Sequence, residues 1–250
     1  MTNRTMSTAI TVKNISKTFR EDDGTTTAAL RNISLSIKTG EFFVILGPSG
    51  SGKSTLLRIM SELETSDKGS VTWNSVHPNG CAFVFQQFAL LPWLTVFENV
   101  SLGLLSMSLS NAEITKRVTN RLRLLGLQKF AKHYPRELSG GMKQRVGFAR
   151  ALVINPKVLF LDEPFSELDT FTAEALRKEL LELWKKEKFT VIMVTHNVDE
   201  AIELADRVTV LTTRPGTVEA ILPIGLNRPR SMRSPEVFDL HDKITNLVKP

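Results

Sequence analysis

The sequence predicts an α/β protein with a mostly parallel sheet, an N-terminal antiparallel β part and an inserted helical region. Three observations carry that reading. Three short runs are apolar at every position: Phe42–Leu46, Val158–Leu161 and Val191–Val194. A strand with no polar face is buried on both sides, as in a parallel sheet covered by helices. Stretches with helical spacing separate the runs, and a glycine-rich string, Gly47–Gly52, joins the first run to a helix.

Taken in order, residues 10–15 and 33–38 alternate apolar and polar side chains, which predicts two half-buried strands. The polar stretch Glu21–Thr27 between them, with Gly24, predicts a hairpin loop. Residues 42–46 form the first buried strand, 47–52 a loop, and 53–63 a helix. From Asn111 to Gly126, Ile114, Val118, Leu122 and Leu125 recur at helical spacing, with Lys116, Arg117, Arg121 and Arg123 between them. Ser110 or Asn111 caps that helix, and Ile114 is its first inward residue. Pro135 breaks the pattern, and Gly140-Gly141 precede a helix running through Leu152. A long helix over about 172–187 follows the strand at 158–161 and precedes the strand at 191–194. No strand pattern appears in 88–150, so this region is expected to be a helical subdomain. The nucleotide-binding core is then 1–87 and 151–225, and the tail from Leu226 is expected to be an extended surface segment before a short final helix. All of this fits a single domain over 1–250.

Composition removes several classes. The chain has 250 residues, 42% hydrophobic and 23% charged, so collagen-like, coiled-coil and wholly disordered chains are excluded. Its longest apolar runs are about five residues, too short to span a membrane. Met1–Thr11 is polar and does not predict a secretory signal. The single cysteine, Cys81, cannot form an internal disulfide, which points to a reduced compartment. The net charge of +6 is uneven. Residues 88–150 hold ten basic and three acidic side chains, against nine and seven in 1–87 and thirteen and sixteen in 151–250. The surplus in the middle reads either as a solvated helical face or as a contact surface for something acidic.

Gly47-Pro48-Ser49-Gly50-Ser51-Gly52-Lys53-Ser54-Thr55 matches G-x-x-x-x-G-K-[ST]. Glycines let successive N–H groups turn toward one anion, and the helix that follows points its positive end at the same place. Lys53 supplies a charge for β- and γ-phosphates, and the Ser54 hydroxyl suits Mg²⁺. A chain of this length holds roughly 0.01 such matches by chance, so a nucleotide site is expected. The run ending in Asp162-Glu163 puts two carboxylates at the end of a buried strand, where ligands of open α/β sheets bind. Asp162 is placed to hold Mg²⁺, and Glu163 to polarise an attacking water. Leu138-Ser139-Gly140-Gly141-Met142-Lys143-Gln144-Arg145 supplies a second anion-binding helix start. One nucleotide does not need two phosphate cradles from one chain. The second cradle is therefore expected to serve a nucleotide held by another copy.

With these motifs the chain resembles the ATP-binding subunits of ABC transporters, from about Ile10 to the tail. The resemblance implies a P-loop NTPase core that binds ATP and Mg²⁺. It makes Gly47–Ser54 the Walker A loop, Asp162 the Walker B carboxylate and Glu163 the catalytic glutamate. Gln86 becomes the Q-loop glutamine that serves Mg²⁺ and links to a transmembrane partner. Ser139, Gly140 and Gly141 become the signature that contacts the opposite subunit's ATP, and residues 166–169 the D-loop. His196 becomes the switch histidine contacting the γ-phosphate, and Phe19 the aromatic stacked on adenine. Glu62 and Glu167 depart from the family, which commonly has glycine at the first and a small residue at the second.

Residues 90–100, Asp199–Ile202, Thr213–Gly216 and Arg228-Pro229-Arg230 are similar to the nitrate, sulfonate and taurine importer group. The resemblance implies a subunit at the cytoplasmic face of the inner membrane. Its partners would be a second copy or a paralogous ATPase, permease subunits and, indirectly, a solute-binding protein. No nucleic acid is expected. Trp93 reads either as a core residue or as part of a groove for a partner's helix. A soluble ABC ATPase acting on nucleic acid or ribosomes, or an exporter subunit, is the alternative.

Overall fold

A computed structural model describes residues 7–20, 24–74, 80–232 and 234–248. In chain order the elements are β1 (Thr8–Arg20), β2 (Thr26–Lys38), β3 (Phe42–Leu46), α1 (Lys53–Met60), β4 (Lys68–Trp73), β5 (Cys81–Val84), α2 (Val96–Ser101), α3 (Asn111–Leu124), α4 (Gly140–Leu152), β6 (Val158–Asp162), α5 (Thr170–Glu187), β7 (Thr190–Thr195), α6 (Val198–Leu204), β8 (Arg207–Leu211), β9 (Val218–Pro223) and α7 (Pro235–Val248). They pack as two compact units, Met1–Asn79 with Lys188–Pro250, and Gly80–Glu187.

The first unit holds two sheets. β1 pairs antiparallel with β2 and with β4, which is the expected N-terminal β part. Both long strands exceed the alternating stretches because irregularities let them bend. Asn14 and Asn32 adopt φ of 53° and 52°, near the register shifts between Val12 and Lys17. Asparagine tolerates that conformation, and Ser34 and Ser16 hydroxyls accept the Asn14 and Asn32 N–H groups. Of the predicted loop, residues 21–23 lie outside the described residues. In the second sheet β3 runs parallel to β7 on one side and to β8 on the other, and β9 closes the edge antiparallel to β8. β3 and β7 are buried at every position, as continuous apolar runs require.

α1 is shorter than the predicted 53–63. Ser61 caps it, and Glu62 follows with φ 61°. The Glu62 N–H donates to the Ile59 carbonyl at 3.2 Å and the Leu63 N–H to the Arg58 carbonyl at 2.9 Å, the paired bonds of a Schellman end. That left-handed position favours glycine, the residue the family resemblance leads one to expect there, and glutamate occupies it at a cost. A glutamate in this conformation costs about 1–2 kcal/mol, and glycine returns about half of that as extra freedom of the unfolded chain. Glu62→Gly is therefore expected to raise the melting temperature by about 1–4 °C, read by calorimetry. An unchanged or lower value would count against strain at this end.

From 226 to 234 the described residues form no helix or strand and are all exposed or half-buried, as expected of a surface segment, but two arginines tie it down. Arg230 turns inward and donates to the carbonyls of Ile202 (2.5 Å), Ala205 (2.7 Å), Leu226 (2.9 Å) and Ile224 (3.2 Å). Burial, above all, pushes its guanidinium down to about 10. Arg228 donates to the Leu204 carbonyl and pairs with Asp206 at 2.8 Å. The two arginines neutralise the carbonyl end of α6, where a cation is favoured. The final helix, α7, is 14 residues long and packs on α6.

In the second unit β5 and β6 pair in parallel. Residues 88–150 contain helices and turns, and no strand among the described residues. Ser110 is the cap of α3, its hydroxyl accepting the Glu113 N–H. Its basic face is not uniformly solvated. Arg121 is buried, bonded to Glu187 at 2.6 Å and Asn155 at 2.9 Å, while Arg117 pairs with Glu113 along the helix. The sequence alone could not separate these arginines, because both lie between apolar positions of one helix. Among the described residues no helix is long and apolar enough to cross a membrane.

Candidate functional site

In the first unit the loop 47–52 leaves β3 at its carboxyl end and enters α1. Gly52 has φ 86°, and a Cβ there would lie 2.7 Å from the Ala29 carbonyl and from Leu30 Cδ2. Only glycine permits both the turn and that approach, so β2 supports the loop from behind. Lys53 is buried, and its Nζ donates to the Gly47 and Pro48 carbonyls, each at 2.9 Å. The ammonium therefore sits inside the curl of the loop. Pro48, Ser49 and Gly50 lie at its outer rim and Ser51 is buried, while Ser54 and Thr55 are half-buried in the first turn of α1.

Register brings His196 to this edge. Leu46 of β3 stands opposite Thr195 of β7, so Gly47 and His196 are the next residues out of two adjacent parallel strands. His196 is exposed, and its flanks are locked. The Thr195 hydroxyl donates to Glu200 at 2.7 Å and accepts the Asn197 N–H at 3.0 Å. The Asn197 side chain then caps α6 by accepting from Asp199 and Glu200. Phe19, near the end of β1, is 39% exposed, so it is no core residue. Lys17 stands 5.2 Å from its ring centroid. The hydrogen bond to Glu64, above all, raises the Lys17 ammonium above its ordinary range, so this cation is firmly held.

Sequence reasoning missed Arg214. Its Nε donates to the Gly50 carbonyl at 3.3 Å, adding a cation behind the loop. Its neighbours Pro215 and Gly216 are a plain turn signal, and nothing local says where that turn packs.

The second unit shows the same arrangement. Val84 of β5 stands opposite Leu161 of β6, so the chain passes through Phe85 to Gln86 beside Asp162 and Glu163. Asp162 is buried and Gln86 is exposed. Glu163 has φ 44°, a left-handed backbone held by Ser166, whose hydroxyl and N–H both donate to the Glu163 carbonyl. Strained non-glycine residues of this kind concentrate at functional sites.

The two glycines 140–141 form the first turn of α4 rather than precede it. Ser139 is the cap, its hydroxyl accepting the Met142 N–H at 3.3 Å. Gly141 is buried against the Thr172 methyl, with no room for a Cβ. Glu167 is exposed, and its carbonyl lies beside Gly140. Asp169 caps the start of α5, and the Thr172 side-chain bond holds its carboxyl below the usual range. Arg145 forms a forked pair with Glu179, at 2.7 and 3.1 Å.

Trp93 is 69% exposed, which rejects the core alternative. Its loop is held by Asn99, a buried residue that sequence reasoning passed over. The Asn99 amide donates to the carbonyls of Leu91, Leu94 and Thr95 and accepts the Leu91 N–H. Thr95 and Glu98 close a capping box at the start of α2, a pattern visible in the sequence as T-x-x-E.

Ser54 offers a hydroxyl in the first unit, and Gln86 and Asp162 an amide and a carboxylate in the second; each is an oxygen donor of the kind Mg²⁺ takes.

A family model described as ABC transporter matches residues 30–166. The nitrate import ATP-binding protein NrtD of Synechocystis sp. is 43% identical over 234 residues, covering 88% of each chain. The aliphatic sulfonates import ATP-binding protein SsuB of Bacillus subtilis is 41% identical over 240 residues, covering 94% of this chain and 92% of its own. Among solved structures, a dimeric ATP-binding cassette in a post-hydrolysis state with ADP and Pi superposes with a TM-score of 0.75 at 36% identity. It covers 87% of this chain and all of its own.

Proposed function

The chain belongs to the ABC transporter family and is an ATP-binding, ATP-hydrolysing enzyme, and from that premise we propose that it powers the import of a small anion such as nitrate, a sulfonate or taurine. The observation that carries the import reading is the match, along nearly the whole chain, to ATP-binding subunits named for nitrate and sulfonate import.

Two copies close on two ATP molecules. In each copy residues 1–87 and 151–225 are the nucleotide-binding core, 88–150 the helical subdomain and 226–250 the tail. Lys53 and the N–H groups of 47–55 hold the phosphates, and Phe19 stacks on adenine. Ser54, Gln86 and Asp162 would hold Mg²⁺, which would supply neutralising charge for the phosphates. Glu163 takes a proton from the attacking water. His196 hydrogen-bonds the γ-phosphate. Ser139, Gly140 and Gly141 of one copy cap the ATP held by the other through the helix start. Most of the rate gain is positional and electrostatic.

The assembly sits at the cytoplasmic face of the inner membrane, attached to permease subunits, with a solute-binding protein acting on the far side. The exposed Trp93 suits contact with a permease helix.

The test is to look for a permease and a solute-binding protein encoded beside it and to co-express them with this chain. Uptake of labelled nitrate, alkanesulfonate or taurine that requires all three proteins is the expected result. ATP-dependent accumulation of solute inside inverted vesicles, with no dependence on a binding protein, would assign export instead.

A further inference from the structure

α4 carries the signature at its first turn and Arg150 near its other end. The Arg150 guanidinium reaches the chain that follows β5: Nη1 donates to the Ala89 carbonyl at 2.6 Å and Nη2 to the Phe88 carbonyl at 3.4 Å. Two glycines of the same helix leave space along that path. A Cβ on Gly147 would lie 3.8 Å from the Phe88 carbonyl, and one on Gly140 would lie 3.9 Å from the tip of the Phe88 ring. Residues 88–89 therefore run along one face of α4, from its signature end to Arg150.

This segment does not hold its shape unaided. Ala89 has φ 47°, a conformation alanine avoids, so an outside contact must maintain it. Burial lowers the Arg150 guanidinium from its ordinary range, yet arginine stays protonated, so both bonds are charge-assisted. Four residues beyond Ala89, Trp93 sits in the loop fixed by Asn99. Three residues before Ala89 lies Gln86.

We propose that Arg150 is a positioning residue that fastens the segment 86–93 to the signature helix. Gln86 and the exposed Trp93 are then carried by the same bar as Ser139, Gly140 and Gly141. The consequence for Gln86 rests on its proposed role toward Mg²⁺. The fastening itself does not. Lysine is a poor substitute, because one ammonium lacks the planar fork that serves two neighbouring carbonyls.

The experiment compares the full chain with Arg150→Ala, Arg150→Gln and Arg150→Lys. In Arg150→Ala, chymotryptic cleavage after Phe88 and Leu90, followed by mass spectrometry, is expected to accelerate at least tenfold while cleavage elsewhere is unchanged. Arg150→Lys should fall between it and the parent. The Mg²⁺ concentration for half-maximal ATPase activity should rise several-fold, with Mg²⁺-free binding of a fluorescent ATP analogue unaltered. If Arg150→Ala fails to fold, Arg150→Gln, which keeps one donor and most of the volume, takes its place. Parental cleavage at Phe88 and Leu90, or acceleration spread evenly over the chain, overturns the proposal. Faster local cleavage with unchanged Mg²⁺ dependence upholds the fastening and removes Gln86 from the cation site.

Discussion

Glu163→Gln is expected to lower kcat for ATP hydrolysis by about 10²–10⁴-fold, the range a positioned general base contributes, while ATP still binds. Glutamine keeps the size of the side chain but cannot take a proton from water. The backbone conformation that aims it, φ 44°, is held by Ser166 bonds to the Glu163 carbonyl, which the substitution leaves untouched. Asp162 stays buried at the end of β6, so its proposed hold on a cation has no reason to fail. With hydrolysis blocked and both phosphate cradles intact, the variant should also accumulate as an ATP-bound dimer. Phosphate release and size-exclusion chromatography with and without ATP read the two effects. Turnover at the parental rate would move water activation to another residue.

The second large effect is on binding. Lys53→Ala removes the buried ammonium that holds the Gly47 and Pro48 carbonyls at 2.9 Å. With it goes the nearest positive charge to the proposed phosphates. Hydrogen bonds to charged groups are each worth about 1.5–3 kcal/mol, so losing one or two on the nucleotide lowers affinity by about 10–10⁴-fold. Lys53→Arg is not expected to rescue binding, because the planar guanidinium is bulkier than the space inside the curl. Titration with a fluorescent ATP analogue measures both variants. Parental affinity in Lys53→Ala would remove this loop from the nucleotide site.

The motifs were legible because each is local. A glycine string ahead of a helix, an acidic pair at the end of an apolar run and two glycines at a helix start are each contained in about two helical turns. Their backbone requirements are written in adjacent residues. The left-handed conformation at Glu62 was not read from the sequence, where the residue stood out only as a departure from the family's usual glycine. The partners of Arg121 and Arg230 were not legible, for the opposite reason. An arginine's surroundings depend on what packs against it, and Glu187 and Asn155 lie 66 and 34 residues from Arg121 in the chain. Trp93 stood open for the same reason, since an apolar side chain after a loop serves a core or an interface equally well.

From the chain alone one could know the α/β class, the antiparallel start and the identity of the chemical groups, because periodicity and turn chemistry are short-range properties. Tertiary structure was needed to learn which strand ends stand side by side. The pairings Leu46 with Thr195 and Val84 with Leu161 put His196 beside the phosphate loop and Gln86 beside the acidic pair. Strand order and register come from long-range backbone hydrogen bonds, which no repeat within a strand specifies.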